Sequence, residues 1–235
     1  MKPEAILFDL DGTLLPMDQD KFTKYYFSLL AERMARYGYD PKAITQAVWD
    51  GTKAMIKNDG SQTNEEAFWA LFADRFGEAS LADKPKIDAF YREEFRQVQK
   101  SCGFQPKAAE AVARIKAMGI RTALATNPIF PAIATQTRIG WAGLRPDDFE
   151  VVTTYENSTT CKPNPAYYHA VLSSMNLAPE SCLMVGNDVD DDMPAAATGM
   201  KVFLLTDCLI NRKEKDISAY PQGDFDALLR YIEEL

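Results

Sequence analysis

The hydrophobic positions of this 235-residue chain follow different periodicities in separate stretches. A short apolar run at residues 6–8 is typical of a strand buried on both faces. Residues 18–100 instead repeat apolar side chains at helical spacing and predict helices only. From residue 105 onward, helical patterns alternate with short apolar runs, as in βαβ units around a parallel sheet. Four further strands are predicted in these runs, at residues 120–125, 149–152, 182–185 and 201–205.

Capping residues mark the helix boundaries within residues 18–100. Asp40 and Pro41 supply an N-cap followed by proline at the first helical position. Thr63 and Glu66 have the spacing of a capping box, and Gly38 provides a helix stop. Four helices are predicted, with apolar residues at Phe22, Tyr26, Leu29, Leu30 and Met34; at Ile44, Ala47, Val48, Ala54 and Met55; at Ala67, Phe68, Leu71 and Phe72; and at Ile87, Phe90, Tyr91, Phe95 and Val98.

These patterns divide the chain into two predicted domains. Residues 1–16 and 100–235 would form an α/β core with a parallel sheet, and residues 17–99 would form an inserted α-helical domain. The aromatic residues of the insert mostly recur at helical spacing and are expected in its own core. They are Phe22, Tyr25, Tyr26, Trp49, Phe68 and Trp69.

Composition and charge exclude several classes of protein. The formal net charge of −8 repels polyanions, so nucleic acid is not an expected partner. No apolar stretch approaches the ~20 residues of a membrane span, and Asp9 interrupts the N-terminal apolar run before it could serve as a signal peptide. We therefore expect a cytoplasmic protein without membrane contact. The four cysteines are far apart in sequence and are expected to be buried thiols.

Two carboxylates follow the first predicted strand, in the sequence Asp9-Leu10-Asp11-Gly12-Thr13. Placing both at the end of a buried strand is costly without a cation, which indicates a functional site. A calcium loop starting at Asp9 would need Gly at its sixth position and Glu at its twelfth, but the chain has Leu14 and Asp20 there. The remaining structural alternative is a plain Asp-Gly turn.

Three more polar motifs follow later predicted strands. Thr126 and Asn127 could bind a phosphoryl oxygen at a turn into a helix, or could simply cap that helix. Lys162 lies between Cys161 and Pro163 before a helix, where a solvated lysine is the ordinary interpretation. The run from Gly186 to Asp192 holds four aspartates and precedes an alanine-rich helix. Because ligands bind at the carboxyl ends of parallel strands, these motifs should converge, and their oxygen-rich donors favour Mg²⁺ over zinc.

The sequence resembles the haloacid dehalogenase superfamily of phosphatases in all four motifs and in their order. The resemblance implies a Rossmann-like core with a helical cap inserted between the first and second motifs. In that family the first aspartate attacks phosphorus and the second is a general acid and base, which implies these roles for Asp9 and Asp11. It also implies phosphate binding by Gly12, Thr13, Thr126, Asn127 and Lys162.

The resemblance further implies a Mg²⁺ site, formed by Asp9, the Asp11 backbone carbonyl, Asp188 and Asp192. The commonest family pattern has aspartate directly after the glycine, where this chain has Asn187. Two registers are therefore possible, Asp188 with Asp192 or Asn187 with Asp191. We prefer the first because it keeps a carboxylate at the metal.

The predicted reaction is hydrolysis of a small phosphorylated metabolite by a monomer or homodimer. Dehalogenase members lack the second aspartate, so Asp11 favours a phosphatase. Phosphomutase relatives often carry a histidine shortly after the first motif, whereas the one histidine here is His169. A different class of interpretation is a phospho-accepting signalling domain or a scaffold. Signalling receiver domains are about half this length and lack a long helical insert.

Overall fold

The computed structural model describes residues 2–235 and forms one parallel sheet with helices around it. The strands are β1 (Ala5–Phe8), β2 (Arg121–Leu124), β3 (Val151–Val152), β4 (Cys182–Gly186), β5 (Lys201–Leu205) and β6 (Gln222–Gly223). Their spatial order is β3-β2-β1-β4-β5-β6, and all five pairings are parallel. The α-helices are α1 (Gln19–Ala35), α2 (Pro41–Ile56), α3 (Asn64–Phe76), α4 (Lys84–Arg92), α5 (Pro106–Ala117), α6 (Ala132–Trp141), α7 (Pro165–Met175) and α8 (Phe225–Glu234). The predicted α/β, Rossmann-like class is confirmed.

Strand β1 lies at the centre of the sheet and is fully buried on both faces. Ile6 and Phe8 pack into the hydrophobic core on the side of α5 and α8, and this core continues into the helices α1–α4. Ala5 and Leu7 pack on the opposite face, against α7. An uninterrupted apolar run is what a strand with helices on both sides requires.

The helices α1–α4 lie between β1 and α5 in the sequence, and the two connections to the sheet run side by side. Met17 and Cys102 form an antiparallel bridge, and the amide of Gly103 donates to the carbonyl of Pro16 at 2.8 Å. Asn64 at the start of α3 donates to the carbonyl of Pro128 at 3.0 Å, which ties the helical segment to the loop after β2. The division into domains at residues 16 and 100 stays a prediction.

Several predicted boundaries differ from the structure. The fourth predicted helix ends at Arg92, because the backbone of Glu93 leaves the helical region with φ −110° and ψ −83°. Phe95 and Val98 therefore lie on a separate 3₁₀ segment at Glu94–Ser101. The alanine-rich segment Met193–Thr198 is also a 3₁₀ helix, and Gly199, at a φ of +100°, ends it after six residues. The remaining 3₁₀ segments are Glu78–Asp83, Pro146–Asp148 and Pro179–Ser181.

Strand and cysteine predictions also needed correction. The predicted strand at 149–152 is reduced to two residues, and β6 was not predicted because Gln222–Gly223 has no apolar pattern. All four cysteines are free, but only Cys161 and Cys182 are buried, while Cys102 and Cys208 are partly exposed. Among the described residues, no helix combines the length and apolar character needed to cross a membrane.

Candidate active site

The turn after β1 fixes the positions of the two predicted catalytic carboxylates. The amide of Asp9 continues the sheet by donating to Val185 O at 2.9 Å, and Gly12 N donates to Leu15 O at 2.8 Å. Gly12 has a φ of +91°, and a Cβ there would lie 2.3 Å from Asn187 Nδ2. Glycine is therefore required at position 12 for two reasons: the positive φ of the backbone and the close approach of the Asn187 side chain.

Lys162 joins the first motif to the acidic cluster. Its Nζ lies 2.8 Å from Asp9 Oδ1 and 2.7 Å from Asp192 Oδ1, and the residue is 3% exposed. Burial alone would lower the pKa of Lys162, but the charges of Asp192 and Asp9 outweigh burial and raise this pKa well above its ordinary value. Lys162 is therefore a fixed cation directly beside Asp9.

Thr13 connects Asp9 to Asn187. Its hydroxyl lies 2.9 Å from Asn187 Oδ1 and 3.2 Å from Asp9 Oδ2 and can donate to one of them at a time. Asn187 is buried and donates through Nδ2 to the carbonyl of Cys208 at 2.6 Å. Asn187 is thus a structural link between the first and last motifs.

Thr126 and Asn127 lie in the loop after β2 and line the same cleft as Asp9. The carbonyl of Thr126 accepts hydrogen bonds from the hydroxyls of Thr153 and Tyr167, at 2.6 and 2.8 Å. These bonds fix the backbone of the loop. Asn127 Nδ2 lies 3.4 Å from Asp191 Oδ2, at the far end of the hydrogen-bond range.

The acidic cluster after β4 contributes three carboxylates to the cleft, of which one is fully engaged in hydrogen bonds. Asp188, Asp191 and Asp192 all line the cleft. Burial and the neighbouring Asp188 raise the pKa of Asp191 to about 6. Both carboxylate oxygens of Asp192 already accept hydrogen bonds, from Lys162 and from the Asp188 amide at 2.9 Å. Gly186 permits this approach, because a Cβ there would lie 2.1 Å from Asp192 Cγ.

Arg138 is a site residue that the sequence analysis missed. It lies on α6 with no exposed surface, its guanidinium forms an ion pair with Asp11 Oδ2, and its Cζ lies 4.3 Å above the Phe130 ring. Burial raises the pKa of Asp11 against the opposing charge of Arg138, and the Asp9 charge raises it further. One signal was present in the sequence: Arg138 occupies an inward position of its helix, between the buried Thr135 and Ile139.

The site surrounds a cleft of about 590 Å³ that is lined by Asp9, Asp11, Lys162 and the acidic cluster. Within residues 2–235, no three or more His, Cys, Asp or Glu side chains are grouped so that they could hold a metal by themselves. Mg²⁺ commonly binds through one or two carboxylates, with waters and substrate phosphate oxygens completing its shell. Asp9 and Asp188 provide such a partial donor set, so the residues present fit a Mg²⁺ ion that the substrate helps to coordinate.

The structure brings all of the predicted site residues together around this cleft or its immediate supports. The residues that line it are Asp9, Asp11, Thr126, Asn127, Lys162, Asp188 and Asp192, while Gly12 and Thr13 support them from outside the lining. Their catalytic, phosphate-binding and metal-binding roles remain predictions.

Comparison with known proteins places the chain in a family. A family model described as haloacid dehalogenase-like hydrolase matches residues 3–199. A phosphoglycolate phosphatase of Colwellia psychrerythraea is 27% identical over 225 residues, which cover 95% of this chain and 92% of that protein. A phosphoglycolate phosphatase of Nitrosococcus oceani is 26% identical, covering 87% and 84% of the two chains. The predicted resemblance to phosphatase-like members of the superfamily is confirmed.

Solved structures agree with the fold. The crystal structure of a predicted phosphoglycolate phosphatase from Haemophilus somnus superposes with a TM-score of 0.60 at 19% identity, and 98% of each chain is covered. At this identity the likeness shows a shared fold over the 98% of the chain that is covered, including the helical segment between β1 and α5.

Proposed function

This chain belongs to the haloacid dehalogenase-like hydrolase family, and we propose that it hydrolyses a small phosphate monoester by a magnesium-dependent reaction through an aspartyl phosphate on Asp9. The observation that carries the proposal is the buried Lys162 ammonium, 2.8 Å from Asp9 Oδ1 in a cleft that also contains Asp11. A buried cation beside a nucleophilic carboxylate offsets the repulsion between that carboxylate and a phosphoryl dianion.

The chain's own residues supply the two halves of the reaction. Asp9 attacks phosphorus in line, the phosphorus–oxygen bond to the leaving group breaks, and Asp11 gives its proton to the leaving alkoxide. Asp11 then takes a proton from the water that hydrolyses the aspartyl phosphate, which releases phosphate and restores Asp9. Burial raises the pKa of Asp11, which makes the protonated form that the first half requires more accessible. The ion pair with Arg138 stabilises the carboxylate that accepts the proton in the second half.

In this proposal Mg²⁺ is held by Asp9, the backbone carbonyl of Asp11 and Asp188. Bound there, it would neutralise charge between the nucleophile and the phosphoryl group. Asp192, whose oxygens are both engaged, is proposed to hold Lys162 rather than the metal. Thr126 and Asn127 are proposed to bind phosphoryl oxygens.

Phosphate ester hydrolysis is favoured over the other reactions of the family by Asp11 and by the position of His169. Removal of a halide needs no proton from Asp11, whereas release of an alkoxide does. His169 is exposed on α7 and does not line the cleft, so it offers no additional acid or base for a phosphomutase reaction. Residues 17–99 are proposed to act as the cap that covers the site and contacts the leaving group.

The test is phosphate release from a panel of phosphate monoesters by the wild type and by Asp9→Asn. We expect turnover that a chelator abolishes, that added Mg²⁺ restores and that Asp9→Asn lacks. Asp74→Asn is the matched control, because Asp74 is an exposed aspartate of α3 outside the cleft. Circular dichroism checks that each variant is folded.

The covalent intermediate can be tested separately. With an aryl phosphate, whose leaving group needs little help from an acid, Asp11→Asn should still be phosphorylated but should lose the base for hydrolysis. We expect mass spectrometry of acid-quenched Asp11→Asn to show a phosphoryl adduct on the peptide containing Asp9. Turnover that persists in Asp9→Asn would refute the proposal.

A further inference from the structure

A second cavity adjoins the catalytic cleft. It has a volume of about 190 Å³ and lies between the helices α1–α4 and the loop after β2. Its walls are mainly aromatic and aliphatic, and they include Phe22, Phe27, Val48, Trp49, Phe68 and Phe130. We call this cavity the apolar chamber.

The apolar chamber meets the cleft at Asp11. Asp11 lines both cavities, whereas Asp9 and Lys162 line the cleft only. Asp11 Oδ2 is held by Arg138, while Oδ1 is buried and has no hydrogen-bond partner within residues 2–235. Asp11, the proton donor of the proposed reaction, therefore lies at the boundary between the two cavities. The oxygen that links phosphorus to the leaving group would lie at this boundary.

Charge in the apolar chamber is sparse. Of the described residues that line it, Asp11 alone carries a charge. The hydroxyls of Tyr26 and Tyr91, which both line the chamber, are 2.8 Å apart and satisfy each other. Trp69 Nε1 also belongs to the lining and is a buried donor with no hydrogen-bond partner within residues 2–235. An anionic or sugar-like leaving group carries several polar atoms and would lose more water here than this donor replaces, which costs free energy. An apolar group would gain by entering.

The cations that could attract a polar leaving group lie elsewhere. Lys24 and Arg212 line the cleft but not the apolar chamber, and both are exposed to solvent. Arg212 also donates to Gln19 Oε1 at 2.9 Å. The chamber therefore favours an apolar leaving group, whereas these cations favour an anionic or polar one. The substrate preference of the enzyme shows which of the two features binds the leaving group.

We propose that the substrate is a phosphate monoester of an apolar alcohol, whose aryl or branched alkyl group occupies the apolar chamber while its phosphoryl group occupies the cleft. The inference rests on the proposed phosphatase function and specifies its substrate class. The size fits, since an apolar cavity of about 150 Å³ holds a benzene molecule. Trp49, stacked on Phe27 with ring centroids 5.1 Å apart and 42% exposed, forms part of the wall shared by the two cavities.

The test compares three esters of primary alcohols, so that leaving-group chemistry stays similar: benzyl phosphate, phosphoglycolate and glucose 6-phosphate. We expect kcat/KM for benzyl phosphate to exceed both others by about tenfold or more, the range that apolar pocket contacts supply. Equal or faster hydrolysis of phosphoglycolate or glucose 6-phosphate would overturn the inference.

A pair of variants on α2 localises the effect. Thr52 lines both cavities, and Thr52→Phe should fill part of the apolar chamber. We expect it to lower kcat/KM for benzyl phosphate about tenfold more than kcat/KM for methyl phosphate. Thr45→Phe is the matched control, because Thr45 makes the same hydroxyl bond to the carbonyl four residues earlier but lines neither cavity. Equal losses on both esters in Thr52→Phe would overturn the assignment.

A binding measurement separates failure of this inference from failure of the phosphatase proposal. Two tryptophans, Trp49 and Trp69, line the apolar chamber. We expect benzyl alcohol, but not glycolate, to change tryptophan fluorescence in wild type and Asp9→Asn, and Thr52→Phe to remove the change. If no ester is hydrolysed but the fluorescence change is present, the phosphatase proposal is refuted and binding of apolar groups in the chamber is supported. If the fluorescence change is absent, the inference that the chamber binds an apolar group is refuted.

Discussion

Replacing Arg138 by methionine would leave the Asp11 carboxylate without its counter-charge. Arg138 is completely buried, and Asp11 keeps 22% of its side-chain surface exposed. Methionine has most of the volume of the arginine stem and can contact Phe130 through its thioether, but it carries no positive charge. The substitution therefore tests the ion pair more than the packing.

The expected loss of stability follows from burial. Removing one partner of a buried ion pair typically costs about 3–5 kcal/mol, because the other charge is left uncompensated. The residual exposure of Asp11 and its raised pKa, which lets the stranded carboxylate take up a proton, both favour the lower end, about 3 kcal/mol. A cation over an aromatic ring at 4.3 Å can add up to about 2 kcal/mol when desolvated, part of which the methionine–Phe130 contact replaces. With about 1 kcal/mol for the part of the cation–π contact that is not replaced, we expect Arg138→Met to lower the free energy of unfolding by about 4 kcal/mol.

The assay is chemical denaturation of wild type, Arg138→Met, Asp11→Asn and the double variant. Fluorescence and circular dichroism are recorded together, because coincident transitions test two-state unfolding. Trp141, three residues from Arg138 on α6, reports locally. In the Asp11→Asn background Arg138→Met leaves no charge without a partner, so it should cost only about 1 kcal/mol, which gives a coupling of about 3 kcal/mol between the two residues. Arg92→Met, at an exposed position of α4, is the control and should change stability by less than about 0.5 kcal/mol. Single-variant effects that add to within about 0.5 kcal/mol would refute the reasoning.

Three further substitutions test local features of the fold and site. Gly12→Ala should abolish hydrolysis in a phosphate-release assay, because the added Cβ would collide with the Asn187 side chain and alanine is strained at a φ of +91°. Activity above half of the wild-type value would contradict this expectation. Thr63→Ala removes the capping box of α3, whose two bonds measure 3.2 and 2.7 Å, and should cost about 1 kcal/mol by thermal denaturation, whereas Thr63→Ser should be nearly neutral. Asn64→Ala removes the donor of the buried 3.0 Å hydrogen bond to the Pro128 carbonyl and leaves that carbonyl without a partner. We expect the free energy of unfolding, measured by urea denaturation, to fall by about 1–3 kcal/mol. A fall no larger than that of Thr63→Ala would argue against a role of Asn64 in joining α3 to the loop after β2.

The sequence was most informative where the signal is local. The Ile6–Phe8 run predicted a strand buried on both faces, and the spacing of Thr63 and Glu66 predicted a capping box that the structure contains. The sequence was less informative where strand pairing or a tight turn determines whether a segment is a strand, an α-helix or a 3₁₀ helix. Strand β6 exists only because its backbone pairs with β5, and the helix predicted after Arg92 continues as a 3₁₀ segment.

By itself, the sequence determined the parallel-sheet class, the order of the four motifs and their placement at strand ends, because each depends on periodicity within a few residues. Only the tertiary structure decided which side chains meet. Arg138 pairs with Asp11 across 127 positions, and Lys162 reaches Asp9 across 153. The aromatics expected in the helical core show the same limit: Phe22, Phe68 and Trp69 are buried as predicted, yet they also line the apolar chamber, and Trp49 is exposed. Helical spacing specifies which face of a helix is apolar. Whether that apolar face packs against other side chains or lines a cavity depends on how the helices pack against the loop after β2.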